Sequence, residues 1–69
     1  PNLPVLPFDA SAARLYGAVR ADLERRGTPI GDADMRIASI ALAGSLTVVT
    51  GNVRHFRHVT DLAVENWLE

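Results

Sequence analysis

A tight connection between a predicted helix and a short apolar strand is the feature that most constrains this fold. Residues 32–43 carry a helical pattern, Gly44 and Ser45 form the connection, and Leu46 opens the stretch LTVVT. The helix would be about 18 Å long and the strand about 16 Å, from the rise per residue of each. Because the turn is so short, the strand must run back antiparallel to the helix. The end of the strand therefore returns to the start of the helix.

Oxygen-bearing side chains stand at the two ends that this return brings together. Asp34 lies in the first turn of the helix, and Thr50 and Asn52 come at the end of the strand. The β-branched, almost continuously apolar stretch LTVVT is typical of a buried parallel strand, and ligands bind at the carboxyl edge of such sheets. Carboxylate, amide and hydroxyl oxygens suit Mg²⁺ or Mn²⁺ better than zinc. We therefore predict an oxygen-rich cluster of Asp34, Asn52 and Thr50.

The two aspartates of the stretch PIGDADMRIA have different predicted roles. Residues two apart on a helix lie about 200° apart around its axis. Asp32 has Arg36 at i+4, which predicts a surface ion pair at the helix start, or Asp32 is itself the N-cap. Asp34 heads a predicted buried stripe with Ile37, where a desolvated carboxylate needs a partner. On spacing alone it is either a helix-start acid or a metal ligand.

The remaining sequence predicts a small α/β domain in the order strand, helix, helix, strand, strand. The stretch LPVLPF contains two prolines, which favour an edge strand or an extended lead-in. Asp9 is the predicted N-cap of an amphipathic helix that ends at Gly27. The stretch GNVRHF predicts one helical turn after LTVVT, and LAVENWL predicts the last strand.

Positive charge is concentrated in the stretch RHFRH. Arg54, His55 and Arg57 could contact RNA phosphates if the cleft binds RNA. The alternative is a solvated basic turn, and a zinc site is disfavoured because no third ligand is spaced for it. We expect Phe56 and Trp67 to belong to the core rather than to form stacking platforms for bases.

Composition limits the class of protein. The 69 residues, 1–69, allow one domain at most. The formal net charge of -1 argues against strong non-specific nucleic-acid binding by the whole surface. The absence of cysteine excludes disulfides and thiolate metal sites and fits a reducing compartment. With no membrane span and no signal peptide in these residues, we expect a cytoplasmic protein. The chain opens on Pro1 without methionine, from which we expect a fragment.

Two linked motifs resemble the PIN-domain family, and within it the VapC-type toxins of bacterial toxin–antitoxin pairs. The resemblance covers nearly the whole chain and includes the helix in FDASAARLYGAVRADLERRG and the terminal VENWL. Matches to the motif P-x-G-x-x-D-x-x-I-A are Pro29, Gly31, Asp34, Ile37 and Ala38, and matches to V-T-x-N-x-x-x-F are Val49, Thr50, Asn52 and Phe56.

The resemblance implies a doubly wound parallel sheet and an Mg²⁺- or Mn²⁺-dependent ribonuclease that cuts RNA with a metal-activated water. Asp34 matches the family's third acidic residue. Asn52 stands where many members have a fourth acid, so it would hold a metal-bound water or orient substrate, supported by Thr50. RNA and a cognate antitoxin protein are the implied partners.

The departure from the family is as informative as the match. The family's first aspartate and the glutamate that follows it have no counterparts in these residues. The resemblance therefore implies the C-terminal half of a PIN domain, inactive alone. An unpaired edge at residues 46–50 would recruit further copies, giving a homo-oligomer or a domain-swapped assembly. The alternative function is a non-catalytic α/β interaction or assembly module in which Asp34 is only a helix-start acid.

Overall fold

The structure, a computed structural model, describes residues 8–67. The strand predicted in LPVLPF falls almost entirely outside these residues. The described elements, in chain order, are α1 (Ala10–Arg26), α2 (Asp32–Gly44), β1 (Thr47–Thr50), α3 (Val53–Phe56) and β2 (Ala63–Asn66). The prediction of a small α/β arrangement with parallel strands is confirmed.

Helix α1 begins and ends at the residues that the sequence indicates. The Asp9 carboxylate accepts a hydrogen bond from the backbone N–H of Ala12 at 3.0 Å, which satisfies a free donor of the first turn. Gly27 adopts the left-handed conformation at φ 70°, and its N–H bonds to carbonyl groups of the last turn. Both caps were predicted from local sequence, and both are formed by local contacts.

Helix α2 begins at Asp32, as predicted, and extends one residue beyond the predicted end at Ala43. Gly31, not Asp32, is the N-cap, and Gly44 lies inside the helix. The left-handed residue that ends the helix is Ser45, at φ 54°. A Cβ at Gly44 would lie 3.2 Å from the side chain of Leu46, a tight contact that the leucine would have to relieve by a small shift. The small residue lets the chain turn closely over its own helix end.

Strands β1 and β2 form a parallel pair, with Thr47 opposite Ala63 and Thr50 opposite Asn66. The two strands are joined by α3 and the turns that follow it. The backbone N–H of Trp67 extends the pairing by donating to the Thr50 carbonyl at 3.3 Å. Within residues 8–67 the sheet has these two strands.

The core lies between α1, α2 and the inner side of the sheet. It consists of Val19, Leu23, Met35, Ala38, Ala41, Val48, Phe56 and Val59. The placement of Phe56 in the core is confirmed. The placement of Trp67 in the core is wrong, because Trp67, which directly follows β2, is 66% exposed. Ile37 is also exposed, so the predicted buried stripe on α2 is wrong at that position.

Strand β1 has one covered and one uncovered side. Val48 is buried at 8% exposure, whereas Val49 is 62% exposed. Leu46 and Ile37 are exposed beside Val49 and line the same groove. We call Ile37, Leu46 and Val49 the open face. The prediction that this strand is buried is therefore wrong for one of its two sides.

Candidate functional site

The end of β1 returns to the start of α2, as the short connection requires. The ring nitrogen Nδ1 of His55 lies 3.2 Å from Oδ2 of Asp34 and 3.0 Å from the side-chain amide of Asn52. The hydroxyl of Thr50 accepts a hydrogen bond from the backbone N–H of Asn52 at 2.9 Å. The structure thus connects Asp34, Asn52 and Thr50 in one polar cluster, with His55 at its centre.

Backbone geometry positions each member of this cluster. Thr50 is the last residue of β1, Asn52 is the N-cap position of α3, and His55 lies within α3. Between them, a Cβ on Gly51 would lie 2.5 Å from Nε1 of Trp67. Only glycine lets the indole approach the turn so closely. Trp67 therefore packs against the turn that carries the cluster.

The hydrogen bonds of His55 constrain its neighbours. One ring nitrogen carries either a proton or a lone pair, so it cannot donate to a carboxylate and accept from an amide N–H together. Towards Asp34 it must donate. Because the oxygen and nitrogen of an amide side chain are interchangeable in position, Asn52 then turns its Oδ1 towards the same N–H. The structure has Nδ2 of Asn52 at 3.0 Å from this ring nitrogen. With the amide turned over, Oδ1 of Asn52 and Oδ2 of Asp34 both face the N–H of His55.

Asp34 and Asp32 have different surroundings although only two residues separate them. The side chain of Asp34 is 26% exposed and faces His55. The side chain of Asp32 is 58% exposed and pairs with Nε of Arg36 at 3.1 Å, which is the predicted surface ion pair. Tyr16 also donates its hydroxyl to Asp32, and this hydrogen bond raises the pKa of Tyr16 above its usual value. Asp32 thus links the start of α2 to Tyr16 of α1 and pairs with Arg36.

The remaining predicted site residues lie on the surface. Arg54 is exposed within α3 and Arg57 is exposed at its end. His55 is about half exposed, with 48% of its side chain accessible. Both guanidinium groups are therefore accessible to solvent, and both residues are close in sequence to His55 of the cluster. Their contact with RNA stays a prediction.

A second polar network was not found from sequence. Asp22 accepts hydrogen bonds from Nη2 of Arg26 at 2.7 Å, from Nη2 of Arg25 at 2.8 Å and from the Thr60 hydroxyl at 3.2 Å. The hydrogen bond from Arg26 lowers the pKa of Asp22 below its usual value. Arg26 also donates to the carbonyl of His58. These bonds fasten the turn after α3 to helix α1, and only the i+4 spacing of Asp22 and Arg26 could have indicated them.

Two broader properties of residues 8–67 bear on function. They contain no group of three or more histidine, cysteine, aspartate or glutamate side chains arranged to hold a metal ion. They include no helix that is both long and apolar enough to cross a membrane. The cytoplasmic location stays a prediction.

Comparison with known proteins identifies relatives along almost the whole chain, although no protein-family profile matches it. Ribonuclease VapC2 of Rickettsia felis is 40% identical over 66 residues, which cover 96% of this chain and 49% of that protein. The tRNA(fMet)-specific endonuclease VapC of Salmonella typhimurium is 43% identical over 66 residues, covering 96% of this chain and 50% of that protein. The chain thus spans about half the length of the curated relatives it matches.

Solved structures of similar proteins agree with the fold. The DNA-bound VapBC structure from Salmonella typhimurium contains a chain that matches with a TM-score of 0.89 at 43% identity, over 94% of this chain and 49% of that chain. A chain of FitAcB from Neisseria gonorrhoeae matches with a TM-score of 0.87 at 37% identity, over 94% of this chain and 46% of that chain. Sequence and backbone therefore agree on the same relatives.

Proposed function

Because this chain is a homologue of the VapC ribonucleases that spans about half their length, we propose that it forms the C-terminal half of a PIN-like nuclease domain. The full-length protein is then a metal-dependent endoribonuclease, the toxin of a toxin–antitoxin pair. The observation that carries this proposal is the cluster at the end of β1, where Asp34, Asn52 and His55 meet. It has the position at which open α/β sheets bind ligands.

The donor set fits a hard divalent cation. Mg²⁺ is bound in proteins through one or two carboxylates, water and substrate phosphates rather than by a complete cage of side chains. Asp34 offers a partly sheltered carboxylate, and the side-chain amide of Asn52 lies 3.0 Å from the same ring nitrogen that the carboxylate contacts, which supports their joint use. When bound, Mg²⁺ or Mn²⁺ supplies Lewis acidity for phosphodiester hydrolysis. Asp34 and Asn52 would hold it.

Each residue of the cluster has a defined task in this proposal. Asp34 would contribute the negative charge that attracts the cation and holds it at the end of β1. Asn52 is neutral, so it contributes an oriented oxygen and little electrostatic attraction. Thr50 fixes the backbone of Asn52 through the 2.9 Å hydrogen bond and thereby directs that side chain. The cluster positions its oxygens by backbone geometry, which limits the reorganisation needed during reaction.

Substrate binding is assigned to the basic residues around α3. Arg54 and Arg57 are exposed guanidinium groups, which suit bidentate contact with phosphates. His55, which belongs to the polar cluster, is about half exposed and is the third residue that we assign to phosphate contact. These contacts would position the RNA backbone without reading its sequence. The small net charge of the chain is compatible with this because the positive charge is local.

The open face supports the division of the domain into two halves. Ile37, Leu46 and Val49 together present apolar surface beside the free edge of β1, the edge that pairs with no other strand of residues 8–67. In the full-length protein we propose that the other half of the domain covers this face and adds the missing acidic residues. Without it, the free edge would pair with further copies. The solved relatives named VapBC support a cognate antitoxin as a further partner.

Cleavage of RNA by the full-length protein tests the proposal. Asp34→Asn removes the charge and keeps the size of the side chain, so we expect loss of RNA cleavage with the fold retained. Asp32→Asn is the matched control, because it makes the same change two residues away at an exposed ion pair. We expect near-normal cleavage from it. Full cleavage by a folded Asp34→Asn protein would favour the non-catalytic interaction module instead.

A further inference from the structure

His55 occupies the point towards which the two proposed metal ligands converge. Its Nδ1 is 3.2 Å from Asp34 Oδ2 and 3.0 Å from the side-chain amide of Asn52. Nothing in the motif spacing required this, since His55 lies 21 residues from Asp34. The imidazole nitrogen lies within hydrogen-bond distance of both side chains.

The imidazole and a shared cation cannot occupy this point together. Mg²⁺ binds oxygen ligands at about 2.0–2.1 Å in near-octahedral geometry, so both oxygens must close in on it. A ring nitrogen within hydrogen-bond distance of the same oxygens fills the space between them. Binding of one cation by Asp34 and Asn52 therefore requires the imidazole to rotate away.

Rotation is sterically open to His55. Its side chain is 48% exposed, and the core contact of α3 is made by its neighbour Phe56, which is 3% exposed. Moving the ring into solvent therefore disturbs no core packing. What is lost is the hydrogen bond to the carboxylate, and this loss subtracts from the affinity for the cation.

We propose that His55 is a gate on cation binding, a positioning residue that holds Asp34 and Asn52 ready for the cation and must be displaced by it. This inference rests on the proposed function, because it takes Asp34 and Asn52 as the ligands. It adds that the chain weakens its own metal site. The opposite arrangement is a permanent supporting role, in which His55 stays bonded to Asp34 and strengthens the site, as partners of metal ligands commonly do.

Affinity of the full-length protein for Mn²⁺ alone, measured by calorimetry, distinguishes these roles without reference to activity. His55→Ala removes the competing ring, and we expect it to bind Mn²⁺ about three- to tenfold more tightly, the ratio that corresponds to one lost hydrogen bond. His55→Asn places a polar group near the position of Nδ1, and we expect an affinity close to that of the unaltered protein. Arg54→Ala controls for loss of a nearby side chain on α3 and should bind slightly more tightly at most.

The outcomes separate this inference from the proposed function. Equal or weaker Mn²⁺ binding by folded His55→Ala, while the unaltered protein binds, would overturn the gate and leave the metal site in place. The same tightening in Arg54→Ala would assign the effect to charge near α3 and also overturn the gate. Absence of Mn²⁺ binding in every variant would overturn the proposed metal site, and the gate with it.

Discussion

The two sides of strand β1 differ sharply in burial. On one side Val48 packs into a core formed by α1, α2 and α3, at 8% exposure. On the other side Val49 belongs to the open face and is 62% exposed. The two residues are chemically identical and adjacent in sequence. Residues 8–67 thus complete one hydrophobic layer and leave the outer side of β1 exposed.

The candidate site lies at the border between these two sides. Asp34 is one helical turn from Ile37, which belongs to the open face. Asp34 nevertheless contacts His55, whose neighbour Phe56 is buried in the core. A partner that covers the open face would therefore come close to the proposed metal ligands. We therefore assign cation binding to the cluster and the contact with the other half of the domain to the open face.

The largest expected effect sharpens the contrast between the two valines. Val48→Ala removes two buried carbons, and we expect a loss of about 1.6 kcal/mol in the free energy of unfolding, at about 0.8 kcal/mol for each. Val49→Ala makes the same change on the open face and should alter that free energy by less than about 0.5 kcal/mol. Urea unfolding of this chain measures both, at a protein concentration low enough to keep it monomeric. Equal losses would mean that the open face is covered in solution.

A second change tests whether the open face associates with further copies. Val49→Lys places a charge beside the free edge of β1, and we expect self-association to weaken about tenfold, or about 1.4 kcal/mol. Ala21→Lys adds the same charge on the exposed side of α1 and is the control. Sedimentation at several concentrations gives the association constants. An unaltered chain that stays monomeric throughout would show that this face does not recruit copies.

The smallest expected effect is a pH dependence of the free energy of unfolding, caused by Asp22 on helix α1. Because the Arg26 hydrogen bond lowers the pKa of Asp22 in the folded state, this contribution to stability is present above the usual pKa of an aspartate. It should decline as pH falls through that value of about 3.8 and on through the lowered one. Asp22→Asn should remove this part of the acid dependence, whereas Glu24→Gln, in an exposed pair, should leave it.

Acid unfolding followed by circular dichroism checks this expectation. If Asp22→Asn and Glu24→Gln gave identical curves of stability against pH, the network that joins α1 to Thr60 would contribute nothing specific. Asp22 was chosen because it bonds to both Arg26 and Thr60 in the structure. The residue is only partly sheltered, so the expected change is one of slope rather than a large loss.

Local rules predicted the parts of the structure that depend on neighbouring residues. The caps at Asp9 and Gly27 need contacts no more than four residues away, and both were predicted correctly. The return of β1 to Asp34 also followed from local geometry, because a two-residue connection leaves the strand no other direction. This placed Thr50 and Asn52 near Asp34 without knowledge of the remaining fold.

Contacts between distant residues could not be obtained in this way. The bond of Thr60 to Asp22 joins residues 38 apart in sequence, and no periodicity encodes it. A helical pattern identifies the side of α2 that is apolar, but not what covers that side, so Ile37 was wrongly placed in the core. Trp67 was misjudged for a related reason: its indole packs against Gly51 at the strand end instead of entering the core.

The central claim is that Asp34 and Asn52 form a cation site at the end of β1. Titration of the full-length protein with Mg²⁺, followed by the backbone amide signals in nuclear magnetic resonance, tests it most directly. We expect saturable shifts of the backbone amide signals of Asp34 and Asn52 and of the ring signals of His55. The amide signals of Asp22 and Asp32 should not shift. Absence of shifts at Asp34 and Asn52, or shifts confined to Asp22 and Asp32, would contradict the account.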